Sequence, residues 1–239
     1  AITGLAAGTY TPATAPTTAT NVGSTAGLIP ADIQFPLATT TELTDDFNAG
    51  SVDSAKWTVE NQGLESVANG GYNAPTTGGS LTLGGTSTVS YWTGKSLKSI
   101  SRYSSRSQIT AKVDRVSLAV TGTAGRSSLW LYADAAHYVH FSHNLNEGGW
   151  SYNSRDDGGT GTNAATGGGV NLALLDSFDL DTSNCEMKLV WVPGTYAGQG
   201  TVQIYRNGLL AGSQAVTNWP TDFAIVLTGQ ARQAGDSVT

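Results

Sequence analysis

Val202-Gln203-Ile204-Tyr205-Arg206-Asn207-Gly208-Leu209-Leu210-Ala211 is the stretch that decides the fold. Val202 and Ile204 alternate with polar residues at the period of a strand, and a second apolar run follows Asn207-Gly208. Both turn residues tolerate the positive φ that a two-residue type I′ turn needs, so the stretch predicts a β-hairpin. The same alternation marks Ile109-Ala111-Val113, Leu129-Leu131, Val139-Phe141 and Phe223-Ile225-Leu227. Gly70-Gly71, Gly78-Gly79, Gly84-Gly85, Gly148-Gly149 and Gly158-Gly159 punctuate the chain between such runs. Short strands at this spacing predict an all-β, jelly-roll-like antiparallel sandwich.

Composition agrees. Charged residues are 13% of the 239, while Gly, Thr, Ser and Ala abound, which suits tight turns and neutral loops and disfavours long amphipathic helices. A net charge of -6 argues against a nucleic-acid partner, which would call for a basic surface. No apolar run is long enough to span a bilayer. The one cysteine, Cys185, lies in the strand-like run Cys185 to Trp191 and reads as a small buried hydrophobe.

The first 41 residues form a separate region: an Ala/Thr/Pro-rich arm with four of the seven prolines and one charged residue, Asp32. Ile2, Leu5, Tyr10, Val22, Leu28, Ile29, Ile33, Phe35 and Leu37 make it too apolar for a free tail, and its prolines oppose helix and central strand. We expect an extended arm over 1–41 that docks on protein, its own sandwich or a neighbouring subunit, and a sandwich over 42–239.

Asp45-Asp46-Phe47-Asn48 with Asp53 and Lys56-Trp57, then Leu81-Thr82-Leu83, then the hairpin, resemble the concanavalin A-like lectin and glucanase superfamily, the laminin-G-type jelly rolls. The resemblance runs from Thr44 to Thr239. Members generally add a closing strand, which Asp236 to Thr239 begins, so the chain is expected to be part of a longer protein. Glucanases of the superfamily carry a Glu-x-Asp-x-(x)-Glu strand, and this chain has none, so the resemblance implies a non-catalytic member. Asp176, Asp179 and Asp181 have the wrong order and read as a solvated loop.

The best binding candidate is aromatic. Trp130 and Tyr132 share one strand face, and Tyr138 and His140 share another. If the two strands are neighbours, the four side chains meet on one sheet face suited to stacking on a sugar, with Trp150, Tyr152, Arg155, Asp156 and Asp157 as its rim. The competing reading makes that face inter-sheet core or places it under the arm. His137, His140 and His143 cannot converge on a metal from one strand, since residues three apart point to opposite faces. Asp45, Asp46 and Asp53 are weak candidate calcium ligands, implied by loops that hold Ca²⁺ in the superfamily. Lys95, Lys98, Arg102, Arg106, Lys112 and Arg115 are half the basic residues of the chain and read as a charged edge strand, with an acidic partner as the alternative.

Together these features predict a non-enzymatic bacteriophage structural protein on the virion surface, a capsid decoration or fibre module with glycan-binding capacity. Its subunits would be held together through residues 1–41. The alternatives are a carbohydrate-binding or adhesion module at a bacterial surface and, further off, a glycoside hydrolase.

Overall fold

A computed structural model describes residues 42–60, 75–90, 92–145, 149–156, 170–171 and 184–239. The arm, three glycine pairs in whole or part (70–71, 148, 158–159), Asp157, Asp176, Asp179 and Asp181 lie outside the described residues. Leu43–Thr239 forms one compact unit.

No helix occurs among the described residues. The strands in chain order are β1 (Trp57–Glu60), β2 (Gly85–Thr86), β3 (Thr93–Ser99), β4 (Tyr103–Ser104), β5 (Ile109–Arg115), β6 (Val120–Thr121), β7 (Gly125–Asp134) and β8 (His137–Leu145). They continue with β9 (Gly149–Asp156), β10 (Val170–Asn171), β11 (Cys185–Pro193), β12 (Gly200–Arg206), β13 (Leu209–Val216), β14 (Asp222–Ala231) and β15 (Ser237–Val238). An eight-stranded sheet runs β1-β3-β14-β7-β8-β9-β10 with β4 added to β14, and a four-stranded sheet runs β13-β12-β11-β5. Every pairing is antiparallel, which makes this a jelly-roll β-sandwich.

The predicted hairpin joins β12 to β13, with φ of 48° at Asn207 and 78° at Gly208. Leu129, Leu131, Val139 and Phe141 of the large sheet face Met187, Leu189, Trp191, Val202 and Ile204 of the small one across the core. Trp191 and Trp219 pack tilted on each other with Phe223 edge-on to both, and the Trp191 indole donates to the Ser105 carbonyl at 2.8 Å. Cys185 is buried in β11, as expected.

The last residues of the sequence are central to a small third sheet, where β15 lies between β2 and β6. Asp236, just before β15, is buried, and its carboxylate accepts from the backbone N–H groups of Thr123, Ala124 and Gln233 at 2.7, 3.1 and 3.1 Å. Burial pushes this carboxyl up, but the three donors outweigh it and hold the group below its ordinary range. Gly122 makes the approach possible: its φ is +106°, and a Cβ there would stand 2.2 Å from the carboxylate.

The basic strip divides. β5 is indeed an edge strand, where Lys112 pairs with Glu186 at 2.9 Å. Lys95 and Lys98 instead lie on β3, inside the large sheet, and Lys98 pairs with Glu60 while Arg102 pairs with Asp222.

Candidate functional site

Two-residue periodicity on β7 turns Arg126, Ser128, Trp130 and Tyr132 away from the core, and β8 sets Asn144, Ser142, His140 and Tyr138 opposite them in that order. On the other side β14 contributes Gln230, Thr228, Val226 and Ala224, and β3 contributes Ser96 and Lys98. The four aromatic residues expected to share a sheet face therefore do so, on the outer face of the large sheet.

The middle of that face is closed. Trp130 is 0% exposed and His140 1%, and their rings lie 4.1 Å apart, with Tyr138 5.2 Å from Trp130. Ser142 Oγ lies 2.7 Å from both Ser128 Oγ and His140 Nδ1, and the Trp130 indole donates to Thr228 Oγ1 at 3.1 Å. Arg126 donates through Nε to Gln230 Oε1 at 2.8 Å while its guanidinium stands 4.2 Å from the Trp92 ring. Trp130 therefore offers no open ring face to a sugar. It is packed as a structural indole, with its one donor satisfied.

Tyr132 differs, for it is only half-buried. Charged groups surround it: the Lys98–Glu60 pair, with Lys98 Nζ 6.0 Å from the ring, the Arg102–Asp222 pair, and Asp134, whose Oδ1 is 2.8 Å from His137 Nδ1. Arg102 also donates through Nη2 to the Asp222 carbonyl at 3.1 Å and the Ala133 carbonyl at 3.4 Å. Burial raises the Tyr132 phenol, Glu60 and Asp134 raise it further, and Arg102 opposes them. The group stays a neutral hydrogen-bond donor at neutral pH, with part of its ring reachable.

Trp150 and Tyr152 do not join this site. The β8–β9 register pairs His143 with Trp150 and Phe141 with Tyr152, which turns both rings into the sandwich, 0% and 8% exposed. Trp150 stacks on His143 at 4.4 Å with planes 2° apart and lies 4.4 Å from the Arg206 guanidinium and 5.0 Å from that of Arg115. Arg155 holds a position opposite Tyr138, and Asp156 one opposite His137. His140 turns outward and His143 inward against Trp150, so these two do not converge.

Asp45 accepts from the Phe47 N–H at 2.9 Å and the Trp57 indole at 2.8 Å, Asp46 from Asn48, and Asp53 from the Ala55 N–H at 2.9 Å. Lys56 Nζ sits 3.8 Å from Asp45 and 3.7 Å from Asp53. These carboxylates fix turns and hold Lys56 and Trp57. Among the described residues no group of three or more metal-ligating side chains converges.

What the sequence reading missed is the row of polar residues flanking the aromatics: Ser96, Arg126, Ser128, Ser142, Thr228 and Gln230, all buried. The signal available was the polar half of each alternating strand.

No family model and no curated protein matches this sequence. The fold is similar to that of an endo-1,3-β-glucanase from Streptomyces sioyaensis, with a TM-score of 0.54 and 9% identity over 81% of this chain and 91% of that one. It is also similar to a β-glucanase from Bacillus licheniformis, with a TM-score of 0.50 and 15% identity over 81% and 92%. Likeness at such identities establishes the fold and leaves activity open.

Proposed function

We propose that this concanavalin A-like jelly roll is a non-enzymatic structural and display module, a bacteriophage capsid decoration or fibre component tethered to its neighbours by residues 1–41. The observation that carries the non-enzymatic reading is the outer face of the large sheet. Its inner strands present Ser, Thr, Gln, Trp and His, hydrogen-bonded to one another. The carboxylates of Glu60, Asp134 and Asp222 stand around Tyr132, each against a basic side chain. Glycoside hydrolysis needs one carboxyl kept protonated and a second set across the scissile bond, about 5 to 9 Å away. The pairing of each of these carboxylates with a basic side chain supports the non-enzymatic reading.

The virion assignment draws on the neutral Thr/Gly/Ala-rich composition and the apolar, proline-bearing arm. Mass spectrometry of purified particles should find the chain, and negative-stain images with a specific antibody should place it on their surface. Absence from particles, or reducing-sugar release that one Asp or Glu substitution abolishes, would overturn the proposal.

A second reading, an adhesion module of a bacterial surface protein, is favoured by Tyr132 alone. A half-exposed phenol among charged groups can take one sugar ring by stacking and hydrogen bonding, worth on the order of 1 kcal/mol, so repetition would have to supply avidity. Glycan-array binding lost in Tyr132→Ala but kept in Trp150→Ala would support this contact.

A further inference from the structure

The four-stranded sheet ends in two edges of opposite character. At one, β5 carries Lys112, Asp114 and Arg115, the kind of charge that discourages another strand from pairing. At the other, β13 reads Leu209-Leu210-Ala211-Gly212-Ser213-Gln214-Ala215-Val216, with neither a charge nor a proline. A bulge at Ala211 confines irregularity to the hairpin end, and Gly212 to Val216 keep plain register with Ile204 to Gly200. No described strand pairs with the outer side of β13.

The two-residue turn makes Arg206 and Leu209 a pair that exchanges both backbone hydrogen bonds. Alternation from Arg206 along β12 then turns the N–H and C=O groups of Ser213 and Ala215 away from β12, the Ser213 carbonyl also accepting from the Tyr152 hydroxyl at 3.4 Å. Ser213 and Ala215 are exposed, as are Leu209 at 70% and Leu210 at 49%. An outward row of backbone donors and acceptors beside exposed leucines is what strand addition uses.

We propose that this edge receives residues 17–29 of a neighbouring copy as an added strand, a proposal that rests on the tether reading of residues 1–41. The occupant follows from chemistry and reach. A strand laid against an uncharged edge must bring no charge to desolvate and no proline inside the paired stretch. Residues 17–29 are the longest stretch of 1–41 that meets both conditions, carry Val22, Leu28 and Ile29, and are bounded by Pro16 and Pro30. The chain over 1–41 can extend to about 140 Å at most, enough to cross to a second sandwich.

The test uses the full-length chain as a mixture of ¹⁴N and ¹⁵N copies, with a photoreactive benzoylphenylalanine at Ser213 or at Val22. We expect the Ser213 probe to capture residues 17–29, and the Val22 probe to capture β13, each across isotopically different copies. Ala215→Pro, which removes one outward N–H, should weaken self-association about tenfold or more, and Ala215→Lys, which adds a charge without constraining the backbone, should weaken it in the same direction. If Val22 captures no other copy, the tether reading itself fails and this proposal with it. If Val22 captures another copy away from β13, or both edge variants associate like the parent, the edge assignment alone is overturned.

Discussion

Leu129, Leu131, Val139 and Phe141 on one face of β7 and β8, and Ser128, Trp130, His140 and Ser142 on the other, are equally shut off from water. The first set is buried by apolar packing between sheets. The second is buried with hydroxyl, imidazole and indole groups engaging one another, Ser142 Oγ with Ser128 Oγ and His140 Nδ1, and the Trp130 indole with Thr228 Oγ1. Burial by itself therefore does not tell a core from a filled surface. What distinguishes them is how the polar atoms are satisfied, because a buried polar group costs free energy until it finds a partner.

The largest expected effect falls on the apolar face. Leu131→Ala should cost about 2 to 5 kcal/mol in urea unfolding, since it removes a fully buried side chain between sheets that cannot close over the gap. A loss below about 1 kcal/mol would mean that the sheets are not packed as described, and the contrast between the faces would fall with it.

Acid should separate both faces from the corner held by Asp236. Neither set of four contains a carboxylate, whereas Asp236 receives three backbone donors. Its carboxyl is held below its unfolded value, so the stability it contributes is present above about pH 4 and is lost as pH falls through the folded value. Asp236→Ala, which leaves those N–H groups unpaired, should cost about 1 to 3 kcal/mol at neutral pH and flatten the acid limb of the stability curve. Hydrogen exchange at Thr123 and Ala124 should rise first on acidification. If exchange rises uniformly across the sandwich instead, Asp236 is not a local lock.

The polar face should respond less. Ser142→Ala removes the hydroxyl shared by Ser128 and His140, and about 1 to 2 kcal/mol is expected from urea unfolding. A neutral substitution there would show that water readily replaces Ser142, which makes the face a solvated surface and not a filled one.

Much of this contrast was legible in the sequence. Period-two alternation placed Trp130 with Tyr132 and Tyr138 with His140, and Asn207-Gly208 fixed the β12–β13 hairpin, because both signals are local. The orientation of β9 was not legible. Whether Trp150 faces outward with His140 or inward with His143 depends on the β8–β9 register, and a shift of one residue would exchange the faces. Periodicity along β9 alone carries no record of that choice. Nor could alternation show that Ser96, Thr228 and Gln230 are buried, since serine and threonine fit a solvated face and a hydrogen-bonded one equally well.

Tyr132 should show the smallest effect on stability and the sharpest titration. It is half-buried, so Tyr132→Ala should change the unfolding free energy by less than about 1 to 2 kcal/mol, below the Leu131 cost. Its phenol is raised by burial and then by Glu60 and Asp134, so the folded protein holds this proton more tightly than the unfolded chain. The stability so conferred is present below the unfolded value near pH 10 and is lost as pH rises through the folded one. The difference in absorbance at 295 nm between the parent and Tyr132→Phe isolates this group, and its midpoint should lie above 10. Asp134→Asn should bring the midpoint down by removing one of the two carboxylates. A midpoint at the ordinary value in the parent would mean that water screens Tyr132 from its charged neighbours, and the outer face would then be open at this end.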